Sequence, residues 1–372
     1  MLGLAAAAAG FFLSLLVFTL LFHPEHSIFA SDHYYPVGYG ATDSSSLHYV
    51  AQRGSLTFAG AVDRRTAYFG DAKTVEVANV SDPERPTSEG RAGVPLANDI
   101  ALTEDYAYVV NNGLSVAGDA SDDFGVRVIA RSDSTTPQEV GALNTDGTPV
   151  SVAIAGSYAY VAEGAVRVID VSDPARLRET GTFGEDVTEV VTSDGHAYLA
   201  GGEGLHVFDV TDPAAPRAMG ALALDDSPAD LAVSDDVAYV AVDDLKASED
   251  ADGVNHGLRV VDVSDPAAPE KVAVFDTPGP ISGVAVNEGR ACIAYAVPDE
   301  DETAFEVPDE YELLQIIDVT DPSALRPGDT FVLQDYSDAG GDVDVMDIAL
   351  SGSYAYIAGW HAGLLVVELP EK

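Results

Sequence analysis

The sequence predicts an all-β protein, a seven-bladed β-propeller of four-stranded antiparallel blades, its ring closed by an N-terminal strand and preceded by one N-terminal hydrophobic helix. Three observations carry this expectation. One phrase recurs seven times between residues 47 and 372. Each copy is made of short β-branched and aromatic runs separated by Gly-Ser and Asp-Pro turns, the pattern of strands rather than helices. A four-stranded unit cannot bury both faces alone, so repeats of this length stack on one another radially.

Residues 1–30 read as a membrane anchor or signal. Leu2 to Phe22 contains no charged side chain, and at about 1.5 Å per residue a helix of that length matches a hydrocarbon core of about 30 Å. The flanks do not suit a cleaved signal well, because no Lys or Arg precedes Arg53 and the exit Ile28-Phe29-Ala30 is a poor cleavage site. The membrane is therefore the first expected partner, through residues 2–22. The localisation that follows is the cell membrane with the propeller outside, or secretion if residues 1–30 are cleaved. Residues 31–46, rich in Tyr, Gly and Ser, read as a polar linker.

Residues 47–372 form the repeat domain. The clearest copy, VSVAIAGSYAYVAEGAVRVIDVSDPARLRETGTF from Val150, runs strand, Gly-Ser turn, strand, strand, Asp-Pro turn, strand. The Ala of the second strand returns at Ala67, Ala107, Ala159, Ala197, Ala238, Ala291 and Ala355. Tyr follows it in six copies, and Cys292 follows Ala291. This lone cysteine excludes an internal disulfide framework and reads as core filler. The last copy stops after its third strand, which would leave an unpaired edge. Leu47 to Gly54 resembles an outer strand and is expected to pair with Leu364 to Glu368, joining the two ends.

Composition narrows the partners. The chain has 62 Asp plus Glu against 18 Lys plus Arg, a net charge of −44. Too few basic residues exist to neutralise a phosphate backbone, so nucleic acid is excluded as a general partner. A hydrophobic content of 47% is far above that of disordered acidic chains, so the charge belongs to the skin of a folded core. Asp outnumbers Glu by about two to one and Lys occurs only at Lys73, Lys246, Lys271 and Lys372. Such a surface repels itself at low ionic strength and is screened in molar salt, where the Debye length is about 3 Å.

The phrases VRVIDVSDP, LHVFDVTDP, LRVVDVSDP and LQIIDVTDP resemble the LVIVD repeat, and the residue inventory resembles that of salt-loving archaea. The first two copies depart from the pattern, with Asn79 in place of the strand Asp in VEVANVSDP, and with Ala130 and no Pro in VRVIARSDS. The resemblance implies a β-propeller of surface and exported proteins; it carries no assigned chemistry, and fold alone cannot supply one.

Candidate sites follow from alignment on the Ala-Tyr position. The residue eight before that Ala is Ala59, Asp99, Ser151, Glu189, Asp230, Gly283 and Asp347. Four carboxylates, Asp99, Glu189, Asp230 and Asp347, are thus expected at the channel mouth, either holding a divalent ion or bonding nearby amides. A second candidate metal set, Asp250, Asp252 and Asn255, lies in an acidic insertion and partly mimics a calcium loop. Arg259 stands there where a bidentate Glu should close it. Calcium is the one cofactor these residues would take.

Insertions at Gly118, Lys246 and Pro298 all fall between second and third strands, and share a face with the long connection from Gln334 and the loop GWHAG from Gly359. Loops on a rigid scaffold carry function, so this face is expected to make contacts through Asp122, Asp123, His256, Asp342, Asp344, Trp360 and His361. Asp170, Asp209, Asp262 and Asp318, at one repeated position, are expected instead to bond the turn amides beyond them. No nucleophile elbow, paired zinc-ligand spacing or phosphate loop is present. The leading expectation is a non-catalytic cell-surface binding or scaffold propeller with a protein or envelope-polymer partner. The alternative is a divalent-metal-dependent hydrolase or lactonase-like enzyme built on the mouth carboxylates.

Overall fold

The computed structural model describes residues 48–53, 57–111, 124–202, 204–224, 227–243, 256–297, 311–335, 341–360 and 362–370. All regular structure in them is β, in antiparallel sheets. Among the described residues no helix is long and apolar enough to cross a membrane. The hydrophobic segment 2–22 and the linker lie outside the described residues.

Strand order follows sequence order in every sheet but the one that joins the first strand to the last. Thr57–Asp63, Thr66–Asp71, Val75–Asn79 and Thr87–Ala92 pair in turn. Ala97–Leu102, Tyr106–Asn111, Gly125–Ala130 and Gln138–Asn144 repeat the pattern, as do Ser227–Ser234, Val237–Asp243, Gly257–Asp262 and Glu270–Asp276. Ile281–Asn287, Arg290–Val297, Tyr311–Asp318 and Arg326–Asp335 do so too, with the short Gly341–Asp342 added at the edge. A six-stranded sheet spans residues 151–223 because two strands each serve twice. Tyr158–Asp170 pairs Ser151–Ala155 through its first half and Arg178–Ser193 through its second. Arg178–Ser193 then continues into a pairing with His196–Gly201.

In the remaining sheet, His48–Arg53 lies antiparallel to Gly363–Glu368, with His48 opposite Glu368 and Arg53 opposite Leu364. The first strand therefore supplies the edge that the last copy lacks.

The core lies between sheets. Each apolar cluster draws on two successive units; one joins Tyr160, Val166 and Val168 to Val190, Ala197 and Leu199, and another joins Tyr108 and Val128 to Val152 and Ile169. A further cluster joins Phe69 and Ala78 of the first unit to Tyr356, Leu364 and Val366 of the last. The repeated Ala is buried in every copy because it lies where two sheets press together. The following Tyr is buried beside it, and burial pushes the hydroxyls of Tyr239 and Tyr356 up to about 12. Cys292 occupies the same place, fully buried, its thiol likewise raised to about 12 by burial, so it is core and not a reactive group.

The Asp-Pro turns hold themselves. Oδ1 of Asp170, Asp209, Asp262 and Asp318 accepts the amide two residues on, at 3.0, 2.9, 2.9 and 3.0 Å. Asn79, the departure in the first copy, does the same for Ser81 at 2.9 Å, since an amide oxygen serves as well as a carboxylate for one N–H acceptor role. These residues are turn caps, as the sequence suggests.

Candidate functional site

The first strand of most units carries a β-bulge just before the aligned column: the register shifts between Thr57 and Ala59, Ala97 and Asp99, Val187 and Glu189, Pro228 and Asp230, Ile281 and Gly283, and Val345 and Asp347. A bulge disrupts the ladder locally and leaves an amide that needs another acceptor. The column side chains supply it.

Asp99 accepts Ile100 N–H at 2.6 Å on Oδ1 and, from the next unit, Val152 N–H at 2.7 Å on Oδ2. Asp230 accepts Leu231 N–H and Val284 N–H, both at 2.7 Å. Asp347 accepts Ile348 N–H at 2.7 Å and Gly60 N–H at 2.9 Å. The Ser151 hydroxyl accepts Val190 N–H at 3.3 Å and donates to Glu189 Oε1. Gly60, Ile100, Val152, Val190, Leu231, Val284 and Ile348, the residues one past the column in every copy, are thereby all satisfied. Each Asp clamps its own unit to the following one, and the following unit has Ser151, Gly283 or Ala59 at the column, small residues that leave room for the neighbour's carboxylate.

The four carboxylates the sequence singled out do come together, and they feel each other. Burial pushes Asp347 up to about 8, reinforced by the charges of Asp99 and Asp230, against the lowering effect of the Gly60 and Ile348 amides. Burial pushes Asp99 up to about 6 despite the Val152 and Ile100 amides and the Ser151 hydroxyl. Asp230 is raised by burial against the Val284 and Leu231 amides. Glu189 is held well above the usual carboxylate range, by burial first and then by Asp99, Asp230 and Asp347. Asp99, Asp230 and Asp347 thus bond backbone amides, while Glu189 accepts the Ser151 hydroxyl. Among the described residues no three His, Cys, Asp or Glu side chains are grouped so as to hold a metal ion.

The other sequence candidates fall differently. Asp122, Asp123, Asp250, Asp252, Asn255 and His361 lie outside the described residues. Asp342 is in a described strand, paired opposite Gln334. His256 is half-buried with Nδ1 2.8 Å from Asp243 Oδ1. Asp344 is exposed, and its carbonyl accepts Trp360 N–H at 2.8 Å. Trp360 itself is only 5% exposed. Its ring lies 6.3 Å from that of Phe58, and its carbonyl accepts Thr57 N–H at 3.1 Å. The large apolar ring that sequence reasoning offered to a partner instead packs the first unit against the last.

Sequence reasoning missed one column, in the middle of the third strands: Glu76, Arg127, Arg167, His206, Arg259, Gln315 and Leu365. Glu76, 2% exposed, receives Arg91 through Nε at 3.0 Å and Nη2 at 2.8 Å. Arg167 meets Glu163 at 2.9 Å and Glu179 at 2.7 Å. Arg259 lies 3.4 Å from Asp276. Gln315 accepts the Tyr295 hydroxyl at 3.2 Å. The available signal was the scarcity of basic residues: in so acidic a chain, three arginines at one repeated strand position mark a structural use.

Similarity to solved structures agrees with this architecture. The chain is similar to U3-55K, at 10% identity over 87% of this chain and 98% of that one, with a TM-score of 0.59. It is similar to the N-terminal domain of Nup159, at 11% identity over 89% and 98%, with a TM-score of 0.55. A functionally unknown protein from Desulfotomaculum acetoxidans matches at 12% identity over 74% and 88%, with a TM-score of 0.54. At such identities only the fold is shared. No curated protein sequence matches significantly. The fold is β-propeller-like, and the protein is a repeat protein of that class. More particularly, the LVIVD repeat matches residues 96–122, 146–185, 184–223, 251–277 and 341–369, and the chain is an LVIVD-repeat protein.

Proposed function

We propose that this protein is a non-catalytic binding or scaffold propeller of seven four-stranded blades. Its ring is closed by His48–Arg53 on Gly363–Glu368, it is tethered at the cell exterior through residues 2–22, and it contacts its partner through the acidic loop face. The observation that carries the reading is the use made of the central carboxylates. Both oxygens of Asp99, Asp230 and Asp347 accept backbone amides, one in the residue's own unit and one in the following unit, a structural use that holds successive units together. A rigid ring with its chemistry committed to holding blades together presents function through its loops.

Two observations support the seven-blade count: Arg178–Ser193 serves two units, so the six-stranded sheet resolves into two four-stranded ones, and His48–Arg53 gives the last unit a fourth strand. The test is capture from envelope extract by the full protein and by a variant with the insertions at 118–123, 246–255 and 298–310 replaced by short Gly-Ser links. A partner retained by the full chain and lost by the variant supports the reading. Equal capture by both overturns the loop face as the contact surface. Stoichiometric divalent metal in the purified protein would favour the metal-dependent alternative.

A further inference from the structure

The third-strand column described above lies between units, and one position in it is unlike the others. Glu76, Arg127, Arg259, Gln315 and Leu365 are buried, and Arg167 is held by two glutamates. His206 is exposed. It lies on the same side of its sheet as Leu199, which packs with Tyr160, Val166 and Val168 of the preceding unit. His206 thus occupies, between residues 151–183 and 187–223, the place that an arginine fills in three other units.

The gap there is open in two independent ways. A cleft of about 460 Å³ lies in it, lined by Thr182, Phe183, Glu185, Leu199, His206 and Phe208 among others. That is the size of a small-ligand pocket. The outer strands are also parted. At one repeated outer-strand position, a Cβ added to Gly90 would meet Ser134 O at 2.5 Å, one added to Gly141 would meet Pro174 O at 1.8 Å, and one added to Gly220 would meet Pro266 O at 2.6 Å. Each of those oxygens belongs to the turn of the following unit. The equivalent Gly181 has nothing within 4 Å. Among these four positions, the neighbouring turn stands off at the one beside His206.

The walls specify a chemistry. Phe183 and Phe208 are 4.8 Å apart, tilted at 56°. Both rings are half-buried, and the aromatic surface they leave to the cleft favours a cation on a hydrocarbon stem. Glu185, exposed at the rim, supplies a carboxylate. The buried Tyr160 ring meets Phe183 edge-on at 6.2 Å beneath them. Elsewhere in this chain the same position is satisfied by an arginine whose stem lies between sheets and whose guanidinium meets acids, as Arg167 does with Glu163 and Glu179. We propose that the cleft at His206 is a binding site for a guanidinium side chain presented by a partner polypeptide, which takes the place the repeat otherwise fills from within. The strongly negative net charge favours such a ligand and disfavours an anionic one. This inference stands apart from the acidic loop face and does not depend on it.

The experiment is titration of the full protein with N-acetyl-arginine methylamide, read by NMR at the His206 ring and Leu199 methyl resonances, with the uncharged citrulline analogue as control. Saturable shifts with the arginine compound alone are expected. Glu185→Gln, an exposed change that leaves the fold intact, should weaken binding by about threefold. His206→Arg should fill the cleft from within, abolish the shifts and raise the thermal midpoint. Absence of shifts at His206 and Leu199, equal shifts from the citrulline analogue, or undiminished binding by H206R would each overturn the proposal.

Discussion

The Asp347 carboxylate accepts the amide of Gly60 at 2.9 Å across 287 residues of chain. The same carboxylate holds Ile348 N–H, so a single side chain joins the last repeat to the first. Asp99 and Asp230 repeat the arrangement between neighbouring units. Replacing Asp347 by Ala orphans two half-buried amides, and each unsatisfied group costs about 1–3 kcal/mol. Asp347→Ala is therefore expected to destabilise by about 2–5 kcal/mol in denaturant unfolding, whereas Asp170→Ala, at an exposed turn, should do far less. Equal effects of the two substitutions would remove the special role given to the column.

The central carboxyls also make stability depend on pH. Asp99 is raised to about 6 and Asp347 to about 8, above the ordinary unfolded value near 4. The folded state therefore binds more protons than the unfolded state in between. The stabilisation is complete below about pH 4 and is lost as pH rises through about 6 and then about 8. Surface acids titrate below about pH 5 and histidines around pH 6.5, so the interval from about pH 7.5 to about pH 8.5 reports the cluster through Asp347. The thermal midpoint in molar salt should fall across it, and Glu189→Gln, which removes one of the raised carboxyls yet keeps an acceptor for Ser151, should flatten the slope. A midpoint that is constant or rises with pH in the wild type would show that the cluster does not hold extra protons.

Two glycines at one repeat position should behave oppositely. Gly141→Ala drives a methyl into the carbonyl of Pro174 and is expected to cost about 1–3 kcal/mol. Gly181→Ala meets nothing within 4 Å and should be neutral or stabilising by up to about 1 kcal/mol, through loss of unfolded-state freedom. Parallel thermal melts decide between this and a uniform demand for glycine at the position.

The net charge of −44 sets a dependence on salt. On dialysis from molar salt into dilute buffer, where the Debye length grows from about 3 Å to about 30 Å, repulsion across the surface should unfold the sheets. Circular dichroism should lose its strand signal reversibly. A spectrum that does not change on dilution would rule out a screening requirement.

Much of the fold was legible because the repeat is in register. The Ala-Tyr position, the Asp-Pro turns and the column of Asp99, Glu189, Asp230 and Asp347 could be aligned on sequence alone, since strand spacing places equivalent residues at equivalent heights. Turn caps such as Asp170 and Asp209 were legible for the same reason: their partners lie two residues away. The fate of Trp360 was not, because burial against Phe58 depends on the unit 300 residues earlier in the chain, and a ring in a glycine-flanked loop looks the same in sequence whether it faces a partner or a neighbouring strand.

By itself, then, the sequence determined an all-β repeat, its pairing units, its self-capped turns and which carboxylates share a column, because each of these is set by local spacing and periodicity. Only the tertiary structure decided what the column does and where the repeat is incomplete. The contacts that carry the Gly60, Val152 and Val284 amides to a neighbour's Asp, and the gap left beside His206 and Gly181, exist only between units, where distance is fixed by packing and not by the order of residues along the chain.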